Sequence, residues 1–63
     1  MDKKAKFFKI YANLPLHFRT EIIAVVEGNP FTWNSAKLEV ENDSEFGSLI
    51  LDKLVKMEII NEQ

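Results

Sequence analysis

The sequence predicts an all-α domain of three to four short helices in a chain of 63 residues. Residues 2–13 and 45–57 each place apolar side chains three and four positions apart, which is the spacing of one face of a helix. Between them, Pro15 and residues 28–30 (Gly-Asn-Pro) break the helical pattern. A chain of this length is expected to form a single domain, residues 1–63, with a small core.

The first helix is predicted over residues 2–13, where Asp2 is available as the N-cap. Its apolar face has i, i+3, i+4, i+7 spacing, and the opposite side carries a basic stripe of lysines three positions apart. The apolar face consists of Phe7, Ile10, Tyr11 and Leu14. The basic stripe consists of Lys3, Lys6 and Lys9.

The second helix is predicted to begin at Pro15, because proline suits the first turn, and to end before Gly28. Its apolar face would bury Phe18, Ile22 and Val25, with Leu16, Ile23 and Val26 one step round the helix. Residues 22–26 (Ile-Ile-Ala-Val-Val) are also typical of a buried strand, since most of them are β-branched.

The third helix is predicted from Trp33 to Glu41, capped by Thr32. Residues 35–41 also alternate strictly between apolar and polar, which is the pattern of a half-buried strand. The alternative fold is therefore an α-β-β-α arrangement with a hairpin within residues 21–41. Both interpretations stay open at this point.

The last helix is predicted over residues 45–57, where Asn42 and Glu45 have the spacing of a capping box. Its apolar face is the longest in the chain and is expected to pack against the other helices. This face consists of Phe46, Leu49, Ile50, Leu54 and Met57.

Charge divides the chain into two unlike parts, although the formal net charge is only −2. Residues 1–19 carry five basic side chains and one acidic one, whereas residues 20–63 carry three basic and nine acidic ones. The basic part is suited to phosphate or to an acidic partner. The alternative is internal, with the first helix packing beside the acidic remainder of its own chain or of a dimer mate.

Several classes of function are excluded by composition. The chain has no cysteine and one histidine, which excludes a disulfide scaffold, a thiolate site and a two-histidine metal motif. Its longest apolar run, residues 22–26, is far shorter than the ~20 residues of a membrane span. We therefore expect a non-enzymatic cytoplasmic protein with no cofactor, metal, small-molecule substrate or membrane contact.

Residues 19–60 resemble the helical core of a helix-turn-helix or winged-helix domain. Residues 21–32 resemble that family's first core helix, running through a Gly/Pro turn into a threonine-capped second helix. Residues 54–60 (Leu-Val-Lys-Met-Glu-Ile-Ile) resemble the Leu-x-x-Leu-Gly-hydrophobic-Ile end of the recognition helix, with Glu58 in place of the glycine. The resemblance implies a helix-turn-helix-like core without a wing, in which residues 45–57 form the recognition helix.

Two functions follow as hypotheses. The first is a nucleic-acid-binding transcriptional regulator that acts as a dimer on DNA, with backbone contacts from basic residues. The residues assigned to DNA are Lys3, Lys4, Lys6, Lys9, Arg19, Ser48, Lys53 and Lys56. The second is a protein-protein interaction or dimerisation module without nucleic acid, favoured by Glu45 and Asp52 on the recognition face. The residues assigned to a protein interface, with a homodimer or another protein, are Phe8, Tyr11 and Trp33.

Overall fold

Three helices pack around a two-stranded antiparallel hairpin in the computed structural model, which describes residues 2–61. The all-α prediction is therefore wrong, and the domain is a mixture of helices and strands. A 3₁₀ helix, Leu16–Thr20, connects the first helix to the hairpin. The other elements are α1 (Lys3–Asn13), β1 (Ile22–Val26), β2 (Asn29–Thr32), α2 (Trp33–Glu41) and α3 (Glu45–Lys56).

The predicted second helix is replaced by the 3₁₀ helix and β1. Four of the five residues of β1 are β-branched, and such side chains lose rotamer freedom in a helix but pack well on a pleated strand. Helical spacing had placed Phe18, Ile22 and Val25 in the core, yet all three are exposed. The strand instead buries Ala24 and Val26.

A two-residue turn joins the strands and accounts for Gly28, while Asn29 and Pro30 begin β2. Val26 pairs with Asn29, and the two residues between them, Glu27 and Gly28, have φ of 51° and 80°. Positive φ at both positions defines a type I′ turn, whose twist matches that of the strands. Gly28 thus turns a hairpin rather than ending a helix. The alternative prediction had the hairpin but placed its second strand at residues 35–41 rather than at Asn29–Thr32.

Residues 35–41 are helical because their N-terminus is capped locally. Thr32 Oγ1 accepts a hydrogen bond from the Ser35 backbone N–H at 3.0 Å, and Ser35 Oγ accepts one from the Thr32 N–H at 2.8 Å. This reciprocal capping box starts α2 directly after β2. Residues 35–41 therefore continue as a helix, and β1 pairs with β2 instead of with them. The predicted helix from Trp33 to Glu41 is confirmed.

The core lies between the hairpin and the three helices. Phe31 of β2 and Phe46 of α3 hold their ring centroids 5.4 Å apart and join the hairpin to the last helix. Nonpolar side chains fill the space between the elements, and residues 2–61 bury no polar or charged residue. The buried apolar residues are Phe7, Ala24, Val26, Trp33, Ala36, Val40, Ile50, Leu54 and Ile60.

A three-residue connection brings α2 and α3 into close contact. Ser44, rather than the predicted Asn42, caps α3 by accepting from the Gly47 N–H at 3.0 Å. The Ser44 hydroxyl also donates to the Glu39 carboxylate at 2.7 Å. Gly47 lies against the backbone of α2, where a Cβ atom would come 2.8 Å from the carbonyl carbon of Glu39. The crossing of these two helices therefore depends on a residue without a side chain.

The end of α3 stores conformational strain at Glu58. Its φ is 60°, and the N–H groups of Glu58 and Ile59 bond back to the carbonyls of Val55 and Leu54, at 3.0 and 2.9 Å. This is a Schellman motif with glutamate at the position where glycine is favoured. Glu58→Gly is therefore expected to raise the free energy of unfolding by about 1 kcal/mol, measured by urea denaturation.

Ser48→Gly is the matched control for Glu58→Gly. Ser48 is exposed inside α3, where glycine lowers helix stability by roughly 0.5 kcal/mol. The two glycine substitutions should thus have opposite signs. A loss of stability at both positions would contradict the assignment of strain to Glu58.

Candidate functional site

Three of the four lysines of α1 face carboxylates or a carbonyl of their own chain, and the fourth, Lys9, is exposed. Lys3 Nζ lies 2.7 Å from Asp52 Oδ1 on α3, and Lys4 Nζ lies 2.9 Å from Asp43 Oδ1. Lys6 Nζ donates to the Asn61 backbone carbonyl at 2.5 Å. These contacts match the internal alternative for the charge asymmetry. Each exposed ion pair adds less than about 1 kcal/mol, so the pairs position α1 rather than hold the fold together.

Arg19 anchors the 3₁₀ helix to α1. Its guanidinium carbon lies 4.2 Å from the centroid of the Tyr11 ring, and Nη2 donates to the Tyr11 backbone carbonyl at 3.0 Å. The side chain is half-buried, and its Nε has no hydrogen-bond partner among the residues described. The planar guanidinium therefore stacks on an aromatic face inside the fold, instead of projecting towards a phosphate.

The outer face of α3 is mixed in charge. Ser48, Lys53 and Lys56, which the sequence analysis assigned to DNA, are exposed there. No ion pair within residues 2–61 involves Lys53 or Lys56. A groove of about 280 Å³ separates these lysines from residues 25–27 of the hairpin, and Leu49 and Asp52 complete its α3 side.

The predicted interface aromatics lie in or against the core. Trp33 is buried, with its ring centroid 5.6 Å from that of Phe7. Tyr11 is half-buried and donates its hydroxyl to Asn34 Oδ1 at 2.7 Å. Phe8 is half-buried and packs edge-to-face on Phe7. These rings therefore contribute to the packing of the fold.

Several exposed large apolar side chains fall within one short segment, for which the sequence predicted burial. Six large apolar residues are exposed within residues 2–61, and four of them fall in residues 16–25. The four, which we call the hairpin-side surface, are Leu16 (76% exposed), Phe18 (41%), Ile22 (63%) and Val25 (52%). The β-branched run was the available signal for β1, because a strand that buries Ala24 and Val26 turns Val25 between them to the opposite, exposed face.

Residues 2–61 show no arrangement suited to a metal or a membrane span. No group of three metal-ligating side chains is assembled in this part of the chain. None of its helices has the length and apolar content needed to cross a bilayer.

Comparison with protein-family models, with curated proteins and with solved structures finds no match to this chain.

Proposed function

We propose that this chain is a non-enzymatic protein-interaction module whose contact is made on the hairpin side. The observation that carries the proposal is the hairpin-side surface, four large apolar side chains exposed within ten residues. Single exposed apolar residues are ordinary, but a cluster in one segment is typical of a protein contact. Burial of such side chains against a partner removes apolar surface from water, and this stabilises the complex.

The charge distribution supports the same proposal. Lys3 and Lys4 already face Asp52 and Asp43, so neutralising phosphates would require breaking these pairs. Arg19 is held on Tyr11. A cytoplasmic location belongs to the proposal as well, because a domain of this size without cysteine suits a reducing compartment.

The second candidate is the DNA-binding regulator, and one contact favours it. The Lys3–Asp52 pair places the basic start of α1 beside α3, the recognition helix of the helix-turn-helix resemblance. Lys53 and Lys56 lie on the same helix. A basic surface assembled in this way would bind DNA with an affinity that falls steeply with salt.

Fluorescence anisotropy with duplex and single-stranded DNA separates the two candidates. For the interaction module we expect no binding by the full chain at low salt, and no change when Lys3, Lys6 and Lys9 are replaced by glutamate. Low-salt binding that weakens steeply with added salt, and that the triple substitution abolishes, would overturn the proposal in favour of the regulator.

Site-specific photo-cross-linking tests the protein contact directly. A photoreactive phenylalanine analogue at position 18, on the hairpin-side surface, should form protein adducts in a lysate of the producing cells. The same analogue at position 9, exposed on α1, is the control and should form few. Equal adducts at both positions, or none at position 18, would count against a hairpin-side contact.

A further inference from the structure

The outer edge of β1 carries backbone groups that the hairpin does not use. Val25 is paired with Pro30, which has no N–H, while Val26 faces Asn29 across the turn. Because hydrogen-bonded and non-hydrogen-bonded pairs alternate in an antiparallel ladder, the N–H and C=O of Val25 point away from β2. No backbone group of residues 2–61 outside the hairpin bonds to Val25.

The two edges of the hairpin differ in their protection. The free edge of β2 lacks its central donor because Pro30 occupies that position. The free edge of β1 has neither proline nor a charged residue, and it exposes Ile22 and Val25. An edge of this kind is a template for another strand, and a sheet of only two strands gains stability from the addition.

Space for an incoming strand lies alongside β1. Val25 and Val26 point to opposite faces of the strand, so the groove that both line runs along its edge. The irregular pairing between Ile22 and Ala24 bends the start of β1 and leaves residues 24–26 as its straight part. The accessible segment is therefore short and centred on Val25.

We propose that β1 pairs antiparallel with β1 of a second copy of this chain, with Val25 opposite Val25 across a two-fold axis. The N–H of each Val25 donates to the C=O of the other, and the two hairpins form one four-stranded sheet, in the order β2-β1-β1-β2. This inference rests on the proposed function and names its partner.

The strand is suited to pairing with itself. In the two-fold register each residue i faces residue 50 minus i, so Glu27 of the turn faces Ile23 of the partner subunit and does not meet its own copy. Residues 22–26 are uncharged throughout. Within the two paired strands no like charges face one another, and Val25 leaves the solvent against an identical side chain.

Sedimentation equilibrium measures whether the full chain dimerises as its concentration is raised from about 10 to about 500 micromolar. We expect twice the monomer mass of 7.3 kDa at the upper end. Val25→Pro removes one edge donor from each copy and should weaken the dimer about thirtyfold, since two hydrogen bonds are lost. Val25→Thr keeps the N–H and the β-branched shape, and should dimerise within about threefold of the original chain.

An intermolecular NOE decides the register even if Val25→Pro fails to fold. In a dimer of mixed isotope labelling, the Hα of Ala24 should show a cross-peak to the Hα of Val26 in the other copy, because these form the close non-hydrogen-bonded pair. A monomer across the whole range would overturn the inference but leave a contact with another protein standing. A dimer without this cross-peak, or one unaffected in folded Val25→Pro, would overturn it as well. DNA binding, by contrast, would overturn the proposed function itself.

Discussion

Gly47→Ala is expected to destabilise the domain by about 3 kcal/mol, although alanine favours a helix over glycine by up to about 1 kcal/mol. The added Cβ would lie 2.8 Å from the carbonyl carbon of Glu39 and 3.1 Å from the Cα of Val40. These are backbone atoms of α2, so no side-chain rotation relieves the overlap. The two helices would have to separate, which opens the core around Val40 and Ile50.

Urea denaturation followed by circular dichroism measures this effect. A chain of this size holds only about 3–5 kcal/mol of stability, so Gly47→Ala should lose much of its helical signal even without denaturant. Ser48→Ala is the matched control, since it adds no atoms and its position is exposed. It should change the unfolding free energy by less than about 0.5 kcal/mol. Equal effects at the two positions would show that the α2–α3 contact is not as close as described.

Phe7→Ala is expected to cost about 3–5 kcal/mol and to detach α1 from the rest of the domain. Phe7 is fully buried, and its ring centroid lies 5.6 Å from that of Phe8 and 6.4 Å from that of Tyr11. It also packs on Trp33 of α2, so one side chain joins two helices. Truncation would leave a cavity between them that the short helices fill only in part.

Phe8→Ala is the control for Phe7→Ala because it makes the same chemical change one position along the same helix. Phe8 is half-buried, so its truncation should cost less than half as much. The thermal unfolding midpoints of the two variants are compared by circular dichroism. About 1 M trimethylamine oxide is added to keep both variants folded at the start of the measurement. A greater loss at Phe8 would show that α1 packs through a different face.

Local patterns predicted the positions of α1, α2 and α3, but they also predicted a second helix that does not form. Asp2 caps α1 by accepting from the Ala5 N–H at 3.0 Å, and Thr32 caps α2, as their sequence positions indicate. The period-two alternation of residues 35–41 was a competing signal. This alternation does not produce a strand, because β2 ends at Thr32 and the capping box at Thr32 starts α2. Capping and helical spacing act within three or four residues, which is why a single sequence is enough to find them.

The candidate site was less predictable. The lysines of α1 form contacts with residues far along the chain, 49 positions from Lys3 to Asp52 and 39 from Lys4 to Asp43. Their positions in the sequence indicate a basic stripe but not what faces it. Trp33 was assigned to an interface because aromatic residues favour interfaces, whereas its neighbours in space place it in the core.

Local sequence patterns alone predict α1 and α3, together with Phe7, Ile50 and Leu54 in their buried faces, and they leave α2 open between a helix and a strand. The state of residues 22–26, and with it the exposure of the large apolar side chains in residues 16–25, depends on tertiary contacts. An apolar, β-branched run satisfies the pattern of a buried helix face and of a strand equally well. The choice depends on the type I′ turn at Glu27 and Gly28, on pairing with β2 and on packing against α3. These interactions join residues that are separated along the chain, so no periodicity within the segment contains them.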